Sequence, residues 1–334
     1  MMRTNPTDAI DVSFSTYLQG RKSKTESHME GGVPDYAYSA DYAMQQKIRA
    51  IPGFYALAKA ITNTVVPRKI KELNMNGLKV GPNQFPEVYQ MYADCARILG
   101  IGIPTVYIEP NPSEINASAY ATEDNAPLSV ITSALLERLT PGELRTVVGH
   151  ECGHIHNNHV IYTIAANLIL NYAGLTLGSA GAVLGSVAKT VANTALSLAS
   201  YPLQLALQAW SRASEVTADR AGVICANDMD DAVKVQAKFM YGAAFNHSDV
   251  NLDSIHEQYD MLRSTPVRFL ELGSTHPMSV RRMLAMKEFM NSEVLYRWRP
   301  EWKTPGMQLF DKMELDARCQ KYIGVVKSNK RGQA

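Results

Sequence analysis

The run "VVGHECGHIHNNHV" (147–160) constrains this chain more than any other stretch, because it holds four of the eight histidines with an acid beside the first. Upstream, Thr140-Pro141-Gly142-Glu143 has capping-box spacing with proline at the first helical position, which predicts a helix starting there. Leu144, Val148, Cys152 and Ile155 then form its apolar stripe. Residues four apart on a helix sit about 40° apart around the axis, so His150 and His154 project from one face. His150-Glu151-Cys152-Gly153-His154 fits H-E-x-x-H. Two imidazoles so placed can share a zinc ion at bonds of about 2.0–2.1 Å, with Glu151 rotated aside to reach water rather than metal. A catalytic metal takes a further ligand from elsewhere, so a second segment has to pack on this helix.

The third ligand is not one of the neighbouring histidines. The H-E-x-x-H-x-x-G-x-x-H pattern needs glycine at 157 and histidine at 160, where this chain has Asn157 and Val160. His156 and His159 are therefore read as surface groups or as groups behind the ligands. "SRASEVTADRAG" (211–222) supplies a glutamate instead. Glu215 and Asp219 are four apart and face one way, with small Ala218 and Gly222 allowing close packing. Glu215 is read as the metal ligand. Asp219 is read as the acceptor of a ligand histidine's second N–H, which fixes the tautomer. The bland alternative is a solvated polar face with an ordinary acidic pair.

The rest of the sequence predicts an α+β fold, mainly helical, with a small sheet beside the H-E-x-x-H helix. Residues 1–40 are polar and read as irregular. Residues 41–75 read as a helical extension, broken by proline at "IPGF" and "VVPRK". "LKVGP", "PTVYIEP" and "NASAYATEDNAPLSVITS" read as short strands, and "FPEVYQMYADCARILGIG" as a helix with a glycine stop. The domain boundaries that follow are 76–290 for a metal-bearing domain and 291–334 for a C-terminal extension. A net charge of +1 gives no nucleic-acid footprint. Four scattered cysteines without C-x-x-C spacing argue against disulfides and fit a reducing compartment. No secretory signal is evident at the N-terminus, which places the chain in the cytoplasm.

In the order "NASAYAT", "LTPGELRTVVGHECGHI", "SEVTADRAG" and "STHPMSVRR", the chain resembles the HtpX-like and CAAX-prenyl-protease-like zinc metallopeptidases, a gluzincin-type family. The resemblance runs from about Leu78 to Met290. It implies a zincin-like fold and one Zn2+ held by His150, His154 and Glu215, with Glu151 as general base and Asp219 behind a ligand histidine. It further implies that Asn116 and Ala117 begin the strand lining the substrate cleft. His276 would support the oxyanion, with Arg282, six places on, orienting the site. Arg281 adjoins Arg282, so that choice rests on spacing alone.

Between His159 and Arg212, Lys189 is the only charged residue. The apolar segment 160–209 reads either as a helical hairpin packed on the protein or as a membrane contact. Asn167, Asn171, Asn193, Gln204 and Gln208 interrupt its apolar runs. The expected function is a zinc-dependent endopeptidase acting on extended or unfolded polypeptides, of the kind used in protein quality control. The rivals are a zinc-bearing, non-catalytic binder of extended chains and an aminopeptidase. The amine-anchoring acid motif of the latter is missing before the zinc helix.

Overall fold

Thr140 caps its helix as the spacing predicts: its backbone N–H donates to Glu143 Oε2 at 2.8 Å while Glu143 N–H donates to Thr140 Oγ1 at 3.4 Å. The computed structural model describes residues 28–30, 32–172, 201–241, 251, 254, 257, 259–261 and 279–323. Within them the fold is α+β and mainly helical. A short hairpin, β1 (Met29–Glu30) and β2 (Val33–Pro34), leads into helices α1 (Ser39–Arg49) and α2 (Phe54–Asn76). Strand β3 (Leu78–Lys79), helix α3 (Pro86–Leu99) and strands β4 (Thr105–Glu109), β5 (Ala117–Tyr120) and β6 (Leu128–Thr132) follow. Then come α4 (Ser133–Arg138), α5 (Pro141–His156), α6 (His159–Tyr172), α7 (Tyr201–Cys225) and α8 (Met229–Tyr241). The last described elements are α9 (Ser279–Met290), α10 (Glu293–Trp298) and α11 (Lys312–Ile323).

The strands form one mixed sheet in the order β3-β4-β6-β5. β4 and β6 run parallel, with Tyr107 opposite Val130, while β5 pairs antiparallel with β6, with Ser118 opposite Val130. β6 is buried along its whole length, as a strand covered on both faces must be, whereas β5 is half-buried and lies at the rim. β5 also contacts α5, which sets the sheet beside the H-E-x-x-H helix.

α3 begins at Pro86 and stops at Gly100, whose φ of +68° lies in the left-handed region that glycine enters without strain. The "IPGF" break falls where expected, with Gly53 preceding α2. Pro67, expected to end or kink its stretch, does not end it: α2 runs through it to Asn76. A proline removes one backbone bond, but Val66 and Leu73 are buried against Tyr107, Leu128 and Val130 of the sheet, and that packing carries the helix across the gap.

Helices α5 and α7 approach so closely that a Cβ on Gly149 would lie 2.5 Å from Cys225 Cβ, and one on Gly153 would lie 2.5 Å from Ala221 Cβ. On the α7 side a Cβ on Gly222 would come 3.0 Å from the Thr146 carbonyl oxygen. Glycine inside a helix costs about 1 kcal/mol relative to alanine, so this seam sacrifices helix propensity for close approach of two backbones.

The segments flanking the central helices are part of the same core. Residues 28–40, expected to be irregular, include the β1–β2 hairpin and the buried Tyr36 and Tyr38. Both tyrosines share one cluster with Val148 and Cys152 of α5, Leu295 of α10 and Leu315, Cys319 and Ile323 of α11. The polar composition that suggested a loose segment hides two aromatic residues whose burial holds it down. All four cysteines are free and buried. Among the described residues no helix is long and apolar enough to cross a membrane. Residues 173–200 of the apolar segment lie outside the described residues.

Candidate metal centre

The α5–α7 seam brings Glu215 across from the two histidines. His150 Nε2 lies 3.1 Å from His154 Nε2. Glu215 Oε2 lies 3.6 Å from His150 Nε2, and Glu215 Oε1 lies 3.5 Å from His154 Nε2. A tetrahedral site with bonds of about 2.0–2.1 Å has ligand–ligand edges of about 3.3–3.4 Å. The three separations bracket that value, so the residues fit a small tetrahedral ion of the kind that takes nitrogen and oxygen donors. They are the one group of three or more metal-capable side chains that converges in this way among the described residues.

Around this triangle the charges are ordered. Asp219 Oδ1 lies 3.0 Å from His150 Nδ1, the nitrogen turned away from the triangle. Arg282 grips Asp219 with two donors, Nε to Oδ2 at 2.8 Å and an Nη to Oδ1 at 2.6 Å, and its other Nη stands 3.1 Å from Glu215 Oε2. Burial pushes the Asp219 carboxyl up, but Arg282, and then His150, more than reverse it, leaving its pKa below the ordinary value. Burial lowers the Arg282 pKa, and Asp219 and Glu215 outweigh it, so the guanidinium is held more firmly charged than usual. Burial pulls the His154 imidazole below its ordinary value against the opposing pull of Glu215, which favours the neutral form a metal ligand needs.

The cleft over the triangle has a volume of about 410 Å³ and is lined by Asn116, Ala117, Glu151, Val235, Phe239 and Met286 as well as the converging groups. Glu151 is 6 % exposed, and it shares this cleft with both histidines. Asn116 precedes β5: its backbone N–H donates to Thr132 Oγ1 at 3.1 Å and its side-chain amide to Glu114 at 3.0 Å. Of the two adjacent arginines, Arg282 reaches the site and Arg281 does not, donating instead to the Tyr322 carbonyl at 3.1 Å. His276 lies outside the described residues.

His156 and His159 are not surface groups, being 5 % and 1 % exposed. His156 Nδ1 is 2.9 Å from the Tyr36 hydroxyl. His159 Nδ1 is 3.0 Å from His154 Nδ1, and its Nε2 is 2.9 Å from Asp41 Oδ2 on α1. Asp41 also accepts from Thr217 Oγ1 at 2.6 Å and Trp210 Nε1 at 3.0 Å. Sequence reading missed this contact of α1 with the site, because an acid in the first turn of a helix is ordinarily explained by the helix dipole.

Residues 82–290 match the family model described as Peptidase family M48. The chain is 28% identical over 267 residues to the plastoglobule-localized metallopeptidase 48, chloroplastic, of Arabidopsis thaliana, covering 77% of this chain and 73% of that protein. It is 26% identical over 235 residues to a protease HtpX homolog of Bifidobacterium longum, covering 67% of this chain and 76% of the relative. A shorter match, 40% identical over 89 residues, links it to protease HtpX homolog 1 of Sulfurisphaera tokodaii, across 26% of this chain and 28% of that one. No solved structure matches.

Proposed function

The chain belongs to peptidase family M48 and is a metallopeptidase; on that premise we propose that it is a zinc-dependent endopeptidase cutting extended or unfolded polypeptides. The observation that carries this reading is the triangle of His150, His154 and Glu215, with edges suited to a tetrahedral ion and Glu151 in the same cleft.

In this reading His150, His154 and Glu215 hold Zn2+ in a peptidase unit spanning 76–290. When bound, the ion supplies Lewis-acid polarisation and brings the pKa of water at the site to about 7. Glu151 takes the proton as the water oxygen attacks the scissile carbonyl carbon, then delivers it to the leaving amine nitrogen as the C–N bond breaks. Asp219 accepts the His150 Nδ1–H and so keeps the Nε2 lone pair on the cleft side. Arg282 holds Asp219 in that orientation with its two-pronged contact. His276, placed by its motif, supports the oxyanion.

The extended substrate adds to the outer edge of β5, beyond Asn116 and Ala117, which pairs with no further strand among the described residues. Backbone pairing of this kind accepts many sequences, which suits a quality-control protease. We place the protein in the cytoplasm, with the described ends of segment 160–209, in α6 and α7, packed on the enzyme. Retention of the chain in carbonate-extracted membranes would overturn that placement.

The test compares zinc content and cleavage of an unfolded protein by the parent and by Glu151→Gln. Loss of a general base costs about 10²–10⁴ in rate, so the variant keeps the metal and loses activity on that scale. Full activity in Glu151→Gln ends the reading.

A further inference from the structure

We infer that Asp41 is a positioning residue for the metal site, acting through His159 to fix the tautomer of His154. The inference rests on the zinc reading above and adds to it a residue of α1, a helix outside the stretch that matches the family model.

A neutral imidazole carries one N–H, and a histidine that ligates through Nε2 must carry it on Nδ1. His154 points Nε2 at the triangle, so its Nδ1 has to donate, and the atom in reach is His159 Nδ1 at 3.0 Å. That nitrogen must then accept, which leaves the proton of His159 on Nε2, 2.9 Å from Asp41 Oδ2.

The far end of the relay is fixed independently. Trp210 Nε1 can only donate, and it donates to Asp41 Oδ1 at 3.0 Å. Thr217 Oγ1 accepts from the Tyr38 backbone N–H at 3.1 Å, so its own hydrogen goes to Asp41 Oδ2 at 2.6 Å. Both Asp41 oxygens are thereby committed as acceptors, and Asp41 is 2 % exposed, away from competing water. Thr217, steered by the Tyr38 N–H, keeps Oδ2 an acceptor towards His159, and the direction of the bonds from there to the cleft follows. Each ligand imidazole thus has a carboxylate behind it: Asp219 directly on His150, and Asp41 through one interposed imidazole on His154.

Asp41→Asn reverses the relay. Trp210, which can only donate, keeps the single amide oxygen; the NH2 then faces both Thr217 Oγ1, whose hydroxyl turns to accept from it, and His159 Nε2, and the His159 proton moves to Nδ1. His154 is then left with its proton on Nε2, where the metal must bind. Disturbing a group behind a metal ligand typically costs about 10–100-fold in affinity, and that is the loss expected in Asp41→Asn.

The experiment measures zinc dissociation constants by competition with a chromophoric chelator, well below the unfolding temperature. It uses the parent, His154→Ala, Asp41→Asn, Trp210→Phe, His159→Asn and His159→Leu. Trp210→Phe removes a donor to the same carboxylate but leaves the relay direction intact, so it loses stability and keeps the parent affinity. His159→Asn puts an amide oxygen where Nδ1 stood and can still accept from His154, whereas His159→Leu cannot. The asparagine variant therefore binds zinc about 10–100-fold tighter than the leucine variant. Equal affinities for these two, or parent affinity in Asp41→Asn, overturn the inference. A parent that takes up no zinc, or a His154→Ala variant that binds as the parent does, overturns the reading beneath it instead.

Discussion

The two sides of the α5–α7 pair use the same chemistry to opposite ends. On the cleft side two imidazole nitrogens and a glutamate converge within 3.1–3.6 Å, with Arg282 as the cation among them. On the far side His159, Asp41, Thr217 and Trp210 sit equally close, but every acceptor there meets a donor. Arg220 extends that far side, donating to the Tyr36 carbonyl at 2.9 Å and to Asp316 at 2.8 Å. Histidines beside carboxylates do not by themselves make a site. A surplus of lone pairs over protons does, because only a cation relieves it, whereas matched donors and acceptors make a strut.

Outside the Asp41–His159 relay, substitutions on the two sides fail differently. The largest effect is expected on the far side: Arg220→Ala empties a fully buried site and takes donors from the Tyr36 carbonyl and from Asp316, which keeps Lys312 and Ser39, and costs about 3–5 kcal/mol of stability in denaturant unfolding. The folded fraction still binds zinc with the parent affinity, and a lost affinity there would carry the Asp41–His159 relay on to Arg220. Next comes metal removal. With free zinc at 1,000 times its dissociation constant, the parent loses about 4.1 kcal/mol on chelation, read as a drop in melting temperature, while Glu215→Gln shows no such drop. An equal drop in that variant would place the ion elsewhere.

Gly153→Ala, at the seam both sides share, should cost about 1–3 kcal/mol and weaken zinc binding together, since Ala221 must move to admit a methyl group. Zinc affinity unchanged in that variant would mean that the seam does not set the triangle.

The smallest effect is acid dependence on the Glu143–Lys238 pair, which ties α5 to α8 at 2.7 Å. Burial raises the Glu143 pKa, but the Lys238 contact and the Thr140 N–H bring it below the ordinary carboxyl value. A carboxyl depressed on folding stabilises fully above its unfolded value and loses that contribution as pH falls through its folded value. Glu143→Gln should therefore flatten the acid limb of the stability curve without moving zinc affinity at neutral pH. An unchanged acid limb would remove this pair from the supporting framework.

Local reading reached far on one side of the molecule and little on the other. The cap at Thr140, the histidine spacing, the convergence of Glu215 on the histidine pair and the short strands were all legible because each is a signal of a few adjacent residues. The choice between Arg281 and Arg282 needed a spacing match, since both follow the same helix start. Asp41, His159 and Tyr36 were not legible as one assembly. His159 and Asp41 lie 118 positions apart in the chain, and neither shows a periodicity that points to the other. Pro67 misled because the rule for a proline in a helix is local, whereas the sheet that holds α2 in line is not.

The glycines at 149 and 153 carry one more implication. A joint in which glycine main chain meets Ala221 and the short side chain of Cys225 has little rotamer freedom to readjust, so it is tuned less finely than a joint of interlocked leucines. The spacing of the converging nitrogen and oxygen atoms is thus inherited from peptide geometry itself, and drift at these two positions moves it in a single step.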